Sequence, residues 1–134
     1  KLFSHPQTVA YEEREIKNSK NKIIIPPNLI SDEDSLKNLN TYGIEIDNAI
    51  ESFSNYCKVP NAIVLSYGLA ILSQPKIKKI YFCGIDGYKE NNYKTQEIND
   101  SIRMFREKNK DTDLISITPT IQDLDQVSVF ELLR

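Results

Sequence analysis

Asp86 is the residue of this sequence whose type and surroundings best suit chemistry. It stands between Gly84 and Gly87, with Tyr88 next beyond, and lies three positions past the apolar run Ile80-Tyr81-Phe82-Cys83. A carboxylate placed where a strand leaves the core can accept ribose or sugar hydroxyls, or hold a polarised water. The flanking glycines let the backbone bend sharply around it without side chains blocking access. The same geometry lets an aspartate cap a turn through neighbouring backbone amides, so both roles stay open at this stage. Tyr88 is an amphipathic aromatic that suits stacking on a ligand or roofing the core.

Other reactive types are sparse. The single histidine, His5, lies in the leading segment beside Pro6, so a Ser/His/Asp arrangement would have to use it, and a zinc site normally draws on several His or Cys ligands. We expect no metal site. Neither a Gly-x-x-x-x-Gly-Lys-Ser/Thr loop nor a Gly-x-Gly-x-x-Gly turn occurs, and the chain holds only 4 glycines, so neither familiar phosphate cradle is encoded. Ser66 falls inside an apolar helical stretch, where a hydroxyl ordinarily bonds back to a carbonyl of the preceding turn, and no base accompanies it. Asn61 is placed to cap the helix that follows it, or to line the same crevice as Asp86 if that helix's N-terminus points there. Thr118 and Thr120 flank Pro119 at the end of a later strand, from which they reach the crevice if the two strands are neighbours.

These residues need elements to hold them. Lys22 to Ile25 is a short β-branched strand stopped by Pro26-Pro27. Ser31 opens a helix signal, with Asp32, Glu33 and Asp34 over its first turn and Leu36 and Leu39 facing inward. Ile44-Glu45-Ile46 alternates as a strand does, and Phe53 to Val59 is a further extended segment. Ala62 to Leu72 is almost continuously apolar and predicts a helix buried on most of its circumference, with Pro75 marking its exit. The run from Lys78 then reads as a strand buried on both faces, with Cys83 inside it as a small hydrophobe. Lys89 to Lys94 reads as a polar loop, followed by a helix over about Thr95 to Lys108 with Ile98, Ile102 and Phe105 at helical spacing. Leu114 to Ile117 is a last buried strand, and Val127 to Leu133 a closing helix. Lys1 to Lys20 gives no regular pattern.

The 134 residues fit one domain, 40% hydrophobic and 27% charged, large enough to fold around one core without staples. A net charge of −2, with lysines scattered along the chain, leaves no electrostatic footprint for nucleic acid. The longest apolar stretch, Ala62 to Leu72, falls short of the roughly 20 residues a membrane span needs. Two cysteines make no disulfide framework, which favours a reducing, cytoplasmic setting. The chain opens on Lys1 with no basic, apolar and cleavage-site succession, and we expect it to be a piece of a longer protein.

Three stretches together carry a resemblance: Pro60-Asn61-Ala62-Ile63-Val64-Leu65-Ser66-Tyr67-Gly68-Leu69-Ala70-Ile71, then Ile80 to Tyr88, then Ile117-Thr118-Pro119-Thr120. Over about Lys22 to Phe130 the chain resembles the C-terminal domain of bacterial aldolases of the pyruvate carboxyltransferase-like family, found in surface-polysaccharide and flagellar-sugar loci. That resemblance implies a parent enzyme whose N-terminal metal-dependent barrel performs the lyase step. The present 134 residues would then be an accessory domain, without a cofactor and not catalytic alone. The segment Ile80 to Asp86 is also similar to one in bacterial sialyltransferases with a Rossmann-like fold. Those transferases carry a Gly-Asn-Gly-Pro-Ser nucleotide loop and a histidine after the aspartate-bearing strand. This chain has neither, which argues against independent transferase activity.

The expected architecture is α/β, a three-layer Rossmann-like sandwich with a mostly parallel sheet in which the strands at Lys22, Lys78 and Leu114 are central. The expected site is a crevice beyond the carboxyl ends of the strands, formed by Asp86, Gly84, Gly87 and Tyr88 with Asn61 and Thr118 nearby. Expected partners are a nucleotide sugar or sugar and the N-terminal catalytic domain of the parent chain. A sialyltransferase-like glycosyltransferase fragment and a noncatalytic assembly module that forms homo-oligomers are the two alternatives.

Overall fold

The computed structural model describes residues 24–25, 40–74, 76–87 and 92–133. In chain order these form β1 (Ile24–Ile25), β2 (Asn40–Thr41), β3 (Gly43–Ile46), β4 (Glu51–Ser52), β5 (Tyr56–Val59), α1 (Val64–Leu72), β6 (Lys79–Phe82), α2 (Tyr93–Lys108), β7 (Asp113–Ser116), β8 (Asp125–Gln126) and α3 (Val129–Leu132). The protein therefore mixes helices and strands in the α/β manner. The helix signal at Ser31, the leading segment Lys1 to Lys20, Pro75 and Tyr88 lie outside the described residues.

Strand pairing is mostly parallel. β1 pairs parallel with β2; β5 lies between β3, its parallel partner, and β4, its antiparallel one; and β6, β7 and β8 follow one another in a wholly parallel order. In the last group Ile80 stands opposite Leu114 and Phe82 opposite Ser116. Because β6 and β7 run the same way, the chain must return between them, and α2 is that return, giving a βαβ unit.

One apolar cluster joins these pieces. Cys57 and Val59 from β5, Tyr67, Leu69 and Ala70 from α1, Ile80 and Phe82 from β6, Ile102 and Phe105 from α2, and Leu114 from β7 are all buried within it. The inward spacing Ile98, Ile102, Phe105 expected of α2 is present, with Arg103 and Glu107 on the solvent side, linked at 3.4 Å. Fully burying a side chain such as Leu69 or Phe105 stabilises the fold by about 1.5–3 kcal/mol. α2 begins where Asn92 Oδ1 accepts from the Lys94 amide at 2.9 Å. It ends where Asn109 Nδ2 donates to the Phe105 carbonyl at 2.9 Å, with Arg106 and Lys108 complementing the carboxyl end of the helix dipole. The segment from Asn92 that reads as loop is thus a cap and a first turn.

Several expectations need correction. β6 is not buried on both faces: Ile80 and Phe82 point inward, while Lys79 is exposed and Tyr81 is 45% exposed. The period of two in Lys-Ile-Tyr-Phe decides this, since consecutive strand residues face opposite sides. Cys83 follows the strand and is exposed. β6 lies at one end of the order β6-β7-β8, and only β7 of the three expected central strands has a partner on each side among the described residues. Three neighbouring lysines, Lys76, Lys78 and Lys79, suit that end position, because charge discourages further pairing. α1 is buried over most of its circumference as expected, with Ser66, Tyr67, Leu69 and Ala70 inside and Val64 at its start 49% exposed. The closing helix is one turn, and none of its residues is buried.

Candidate functional site

A crevice of about 820 Å³ opens at the carboxyl end of β6. Its walls are Ile63, Val64 and Leu65 at the start of α1, the backbone turn Gly84–Gly87 beyond β6, and Tyr93, Lys94, Glu97 and Ile98 at the start of α2. Its size lies within the range of small-molecule sites, and its walls are largely apolar with a few polar groups, as such sites usually are. Both helices present their N-terminal ends here. α1 has no side-chain cap on its first amides and no acidic residue in its first turn, so the positive end of its dipole is left for solvent or a ligand.

Asp86 is exposed in this crevice, and also borders a smaller hollow with Pro119, Thr120 and Ile121. Its carboxylate accepts no hydrogen bond from the described residues; only its backbone carbonyl is engaged, by the Ile121 amide at 3.4 Å. The turn-capping role is therefore not the one its side chain adopts. Gly84 and Gly87 have φ of 75° and 85°, the left-handed region that costs other residues Cβ clashes.

Thr118 and Thr120 act behind the crevice, where they fasten the turn. Thr118 Oγ1 accepts from the Gly84 amide at 2.9 Å, and Ser116 Oγ donates to the Thr118 carbonyl at 2.7 Å. Thr120 Oγ1 donates to the Ile85 carbonyl and accepts from the Gln122 amide. The Ile117 amide donates to the Phe82 carbonyl at 2.9 Å. The exit of β7 thus ties down the exit of β6, and the position of Asp86 follows from that tie.

Asn61 neither lines the crevice nor caps α1, whose N-cap is Ile63. Its side chain bridges the two helices. Nδ2 donates to the Glu97 carbonyl at 3.1 Å and to Ser101 Oγ at 3.2 Å, and Oδ1 accepts from Ser66 Oγ at 2.6 Å. The Ser66 and Ser101 hydroxyls, both fully buried, are 2.6 Å apart, and Ser101 Oγ also lies 2.8 Å from the Glu97 carbonyl. Ser66 gives its one proton to Asn61, so the single Ser101 proton goes either to Ser66 or to the Glu97 carbonyl. On Ser66 it closes a ring in which Asn61 donates to Ser101, Ser101 to Ser66 and Ser66 to Asn61, and the Glu97 carbonyl is served by Asn61 Nδ2. Ser66 is thereby part of a closed ring, instead of bonding back along its own helix, because Asn61 and Ser101 offer it better-placed partners than a carbonyl already in the helix ladder. The ring fixes the start of α1 against α2, and so sets the width of the crevice between them.

Tyr93 is expected from the sequence, with Glu90, Asn91 and Asn92, to offer contacts from the Lys89–Lys94 loop; Lys94 and Glu97 are not singled out there, although Glu97 falls within the helix expected from about Thr95. Their signal is Asn92, a capping type two residues ahead of the i, i+3 pair Lys94 and Glu97. Burial pushes the Cys57 thiol up to about 11, and burial likewise raises the Tyr67 phenol, aided by Cys57 and Tyr42. Hydrogen bonds from Lys58 and the Asn48 amide lower the Asp47 carboxyl, and Asp47 with Glu45 raises Lys58 in return.

No group of three or more His, Cys, Asp and Glu among the described residues is arranged to hold a metal ion, and no described helix is long and apolar enough to cross a membrane. Compared with known proteins, the chain matches no family model, no curated sequence and no solved structure.

Proposed function

We propose that this chain is an accessory ligand-binding domain of a bacterial carbohydrate-biosynthesis enzyme, the C-terminal part of a cytoplasmic aldolase, and that the crevice beyond β6 takes a nucleotide sugar or sugar. The observation that carries the reading is the exposed Asp86 carboxylate, free of described partners, in a largely apolar crevice between two helix N-termini. A carboxylate accepts sugar or ribose hydroxyls, and the uncapped start of α1 suits a phosphate. The parallel order β6-β7-β8 with α2 as crossover supports a Rossmann-like, three-layer arrangement, in which ligands sit beyond the carboxyl ends of strands. The aldolase parentage rests on the resemblance through the Gly-Ile-Asp-Gly-Tyr and Thr-Pro-Thr pieces. Calorimetric titration of wild type and Asp86→Asn with nucleotide sugars tests the site. The reading expects about tenfold weaker binding in the variant at unchanged thermal stability, and equal binding by the two proteins contradicts it.

A second reading, an assembly module, draws on the exposed apolar end of the chain. Phe130 is 75% and Leu133 79% exposed, with Val129 and Leu132 at 43% each. Light scattering tests it: association that Phe130→Ser abolishes supports it, and a strict monomer at high concentration contradicts it.

A further inference from the structure

The end of the sheet opposite the crevice inverts the charge of the chain. The protein carries a net charge of −2, yet a hollow of about 370 Å³ ahead of β6 and β7 is walled by Lys76, Lys78, Lys108 and Lys110 against one carboxylate, Asp111. Lysines that look scattered along the sequence are gathered there by the fold. Lys108 is held by Glu51, whereas Lys76, Lys78 and Lys110 are exposed and make no ion pair among the described residues. Two structural duties account for part of this charge. Edge protection applies to Lys79, which lies on β6 itself and outside the wall of the hollow. Cations also complement helix carboxyl ends, and the C-caps of α1 and α2, Ser73 and Asn109, both border the hollow. Each helix end amounts to about −0.5 charge, so four lysines set against Glu51, Asp111 and two helix ends leave a surplus of about one positive charge. Neutral groups add donors. Gln74 Nε2 donates to the Ser52 carbonyl at 2.7 Å and Asn109 Nδ2 to the Phe105 carbonyl at 2.9 Å, and each amide keeps a second N–H.

We propose that this hollow is a second binding site, which takes the phosphate group of a small phosphorylated molecule. The site stands apart from the crevice beyond β6 and does not depend on what binds there. A phosphate supplies the negative charge and the acceptor oxygens that a wall of ammonium and amide donors lacks. The concave wall matters as much as the charge, because a hollow lined by one sign focuses its field on a single enclosed group. An adjoining hollow of about 400 Å³ shares Ser73, Gln74, Lys108 and Asn109 with the first and adds Ile50 and Phe53. The body of a phosphate ester has room to lie there while its phosphate meets Lys76, Lys78 and Lys110.

The test titrates the whole chain of 134 residues with glucose 6-phosphate, inorganic phosphate and unphosphorylated glucose, read by backbone amide NMR. Ionic strength is held at about 0.1 M, where attraction between distant exposed charges is screened. Both phosphates should shift the amides of Lys76 to Lys78 and of Lys108 to Thr112, and glucose should leave them in place. Tighter binding of the ester than of the ion assigns the site to a phosphorylated metabolite, equal binding assigns it to the free ion, and either supports it. Lys78→Gln combined with Lys110→Gln should weaken binding about tenfold or more. Asp111→Asn should strengthen it by about two- to threefold, since a like charge leaves the wall, and Lys79→Gln should change it by less than about twofold. All these positions are exposed, so the variants should melt within about 2 °C of wild type. The proposal is overturned if neither segment shifts with phosphate up to about 10 mM, if the shifts fall only on Gly84–Gly87 and Ile63–Leu65, or if Lys79→Gln weakens binding as much as the lysine pair does. None of these results decides what the crevice binds, so the two readings fail separately.

Discussion

The hydroxyls of Ser66 and Ser101 lie 2.6 Å apart, both fully buried, where α1 meets α2. With Asn61 they close a ring in which each member both donates and accepts, so removing one member costs each of the other two a partner. Ser66→Ala and Ser101→Ala should each destabilise the protein by about 1–3 kcal/mol, the cost of leaving buried polar groups unpaired. The double variant should lose clearly less than the sum, because the bond between the two hydroxyls is lost only once. Urea denaturation of the four proteins checks this, and strictly additive losses would show that the ring is not a unit.

Gly84 and Gly87 share a left-handed conformation but not an environment. A Cβ on Gly84 would meet nothing within 4 Å, whereas one on Gly87 would strike Ile121 and Gln122. Gly84→Ala should therefore cost only the backbone penalty of about 1–2 kcal/mol, and Gly87→Ala distinctly more, as overpacking adds to it. Thermal melts of the two variants give the order directly, and an equal loss would contradict the contact at Gly87.

Cys57 sets a pH dependence whose direction is fixed. Its folded thiol titrates near 11, against an ordinary value of 9.0, so above pH 9 the unfolded chain releases a proton that the folded chain retains. The stability contributed by the neutral buried thiol is complete below about pH 9 and is lost as pH rises from about 9 through about 11. The melting temperature should fall across that interval, and Cys57→Ala should fall less steeply from its lower starting point. Equal slopes in the two proteins would assign the loss to other groups, the raised Tyr67 phenol first among them.

Much of the element order was legible because it is written in short-range terms. The helical spacing of Ile98, Ile102 and Phe105, the alternation Ile44-Glu45-Ile46, and the apolar run into Gly84 each mark their element without reference to the rest of the chain. The two-residue strands β2, β4 and β8 were not legible, since so short a pairing is decided by the partner and not by propensity. The crevice was legible only in part. Asp86 and its glycines announce themselves as a polar break after an apolar strand, but the ring that holds Asn61 away from the crevice joins residues up to 40 positions apart.

Backbone amide NMR during titration with a nucleotide sugar is the most direct test of whether the crevice beyond β6 is the binding site. The account predicts shifts concentrated at Gly84–Gly87, at Ile63–Leu65 and at the first two turns of α2, with little change along β3, β4 and β5, and the same perturbations weakened in Asp86→Asn at equal ligand concentration. Shifts confined to other faces, or none at any concentration up to about 10 mM, where affinity would be weaker than about −3 kcal/mol, would contradict it.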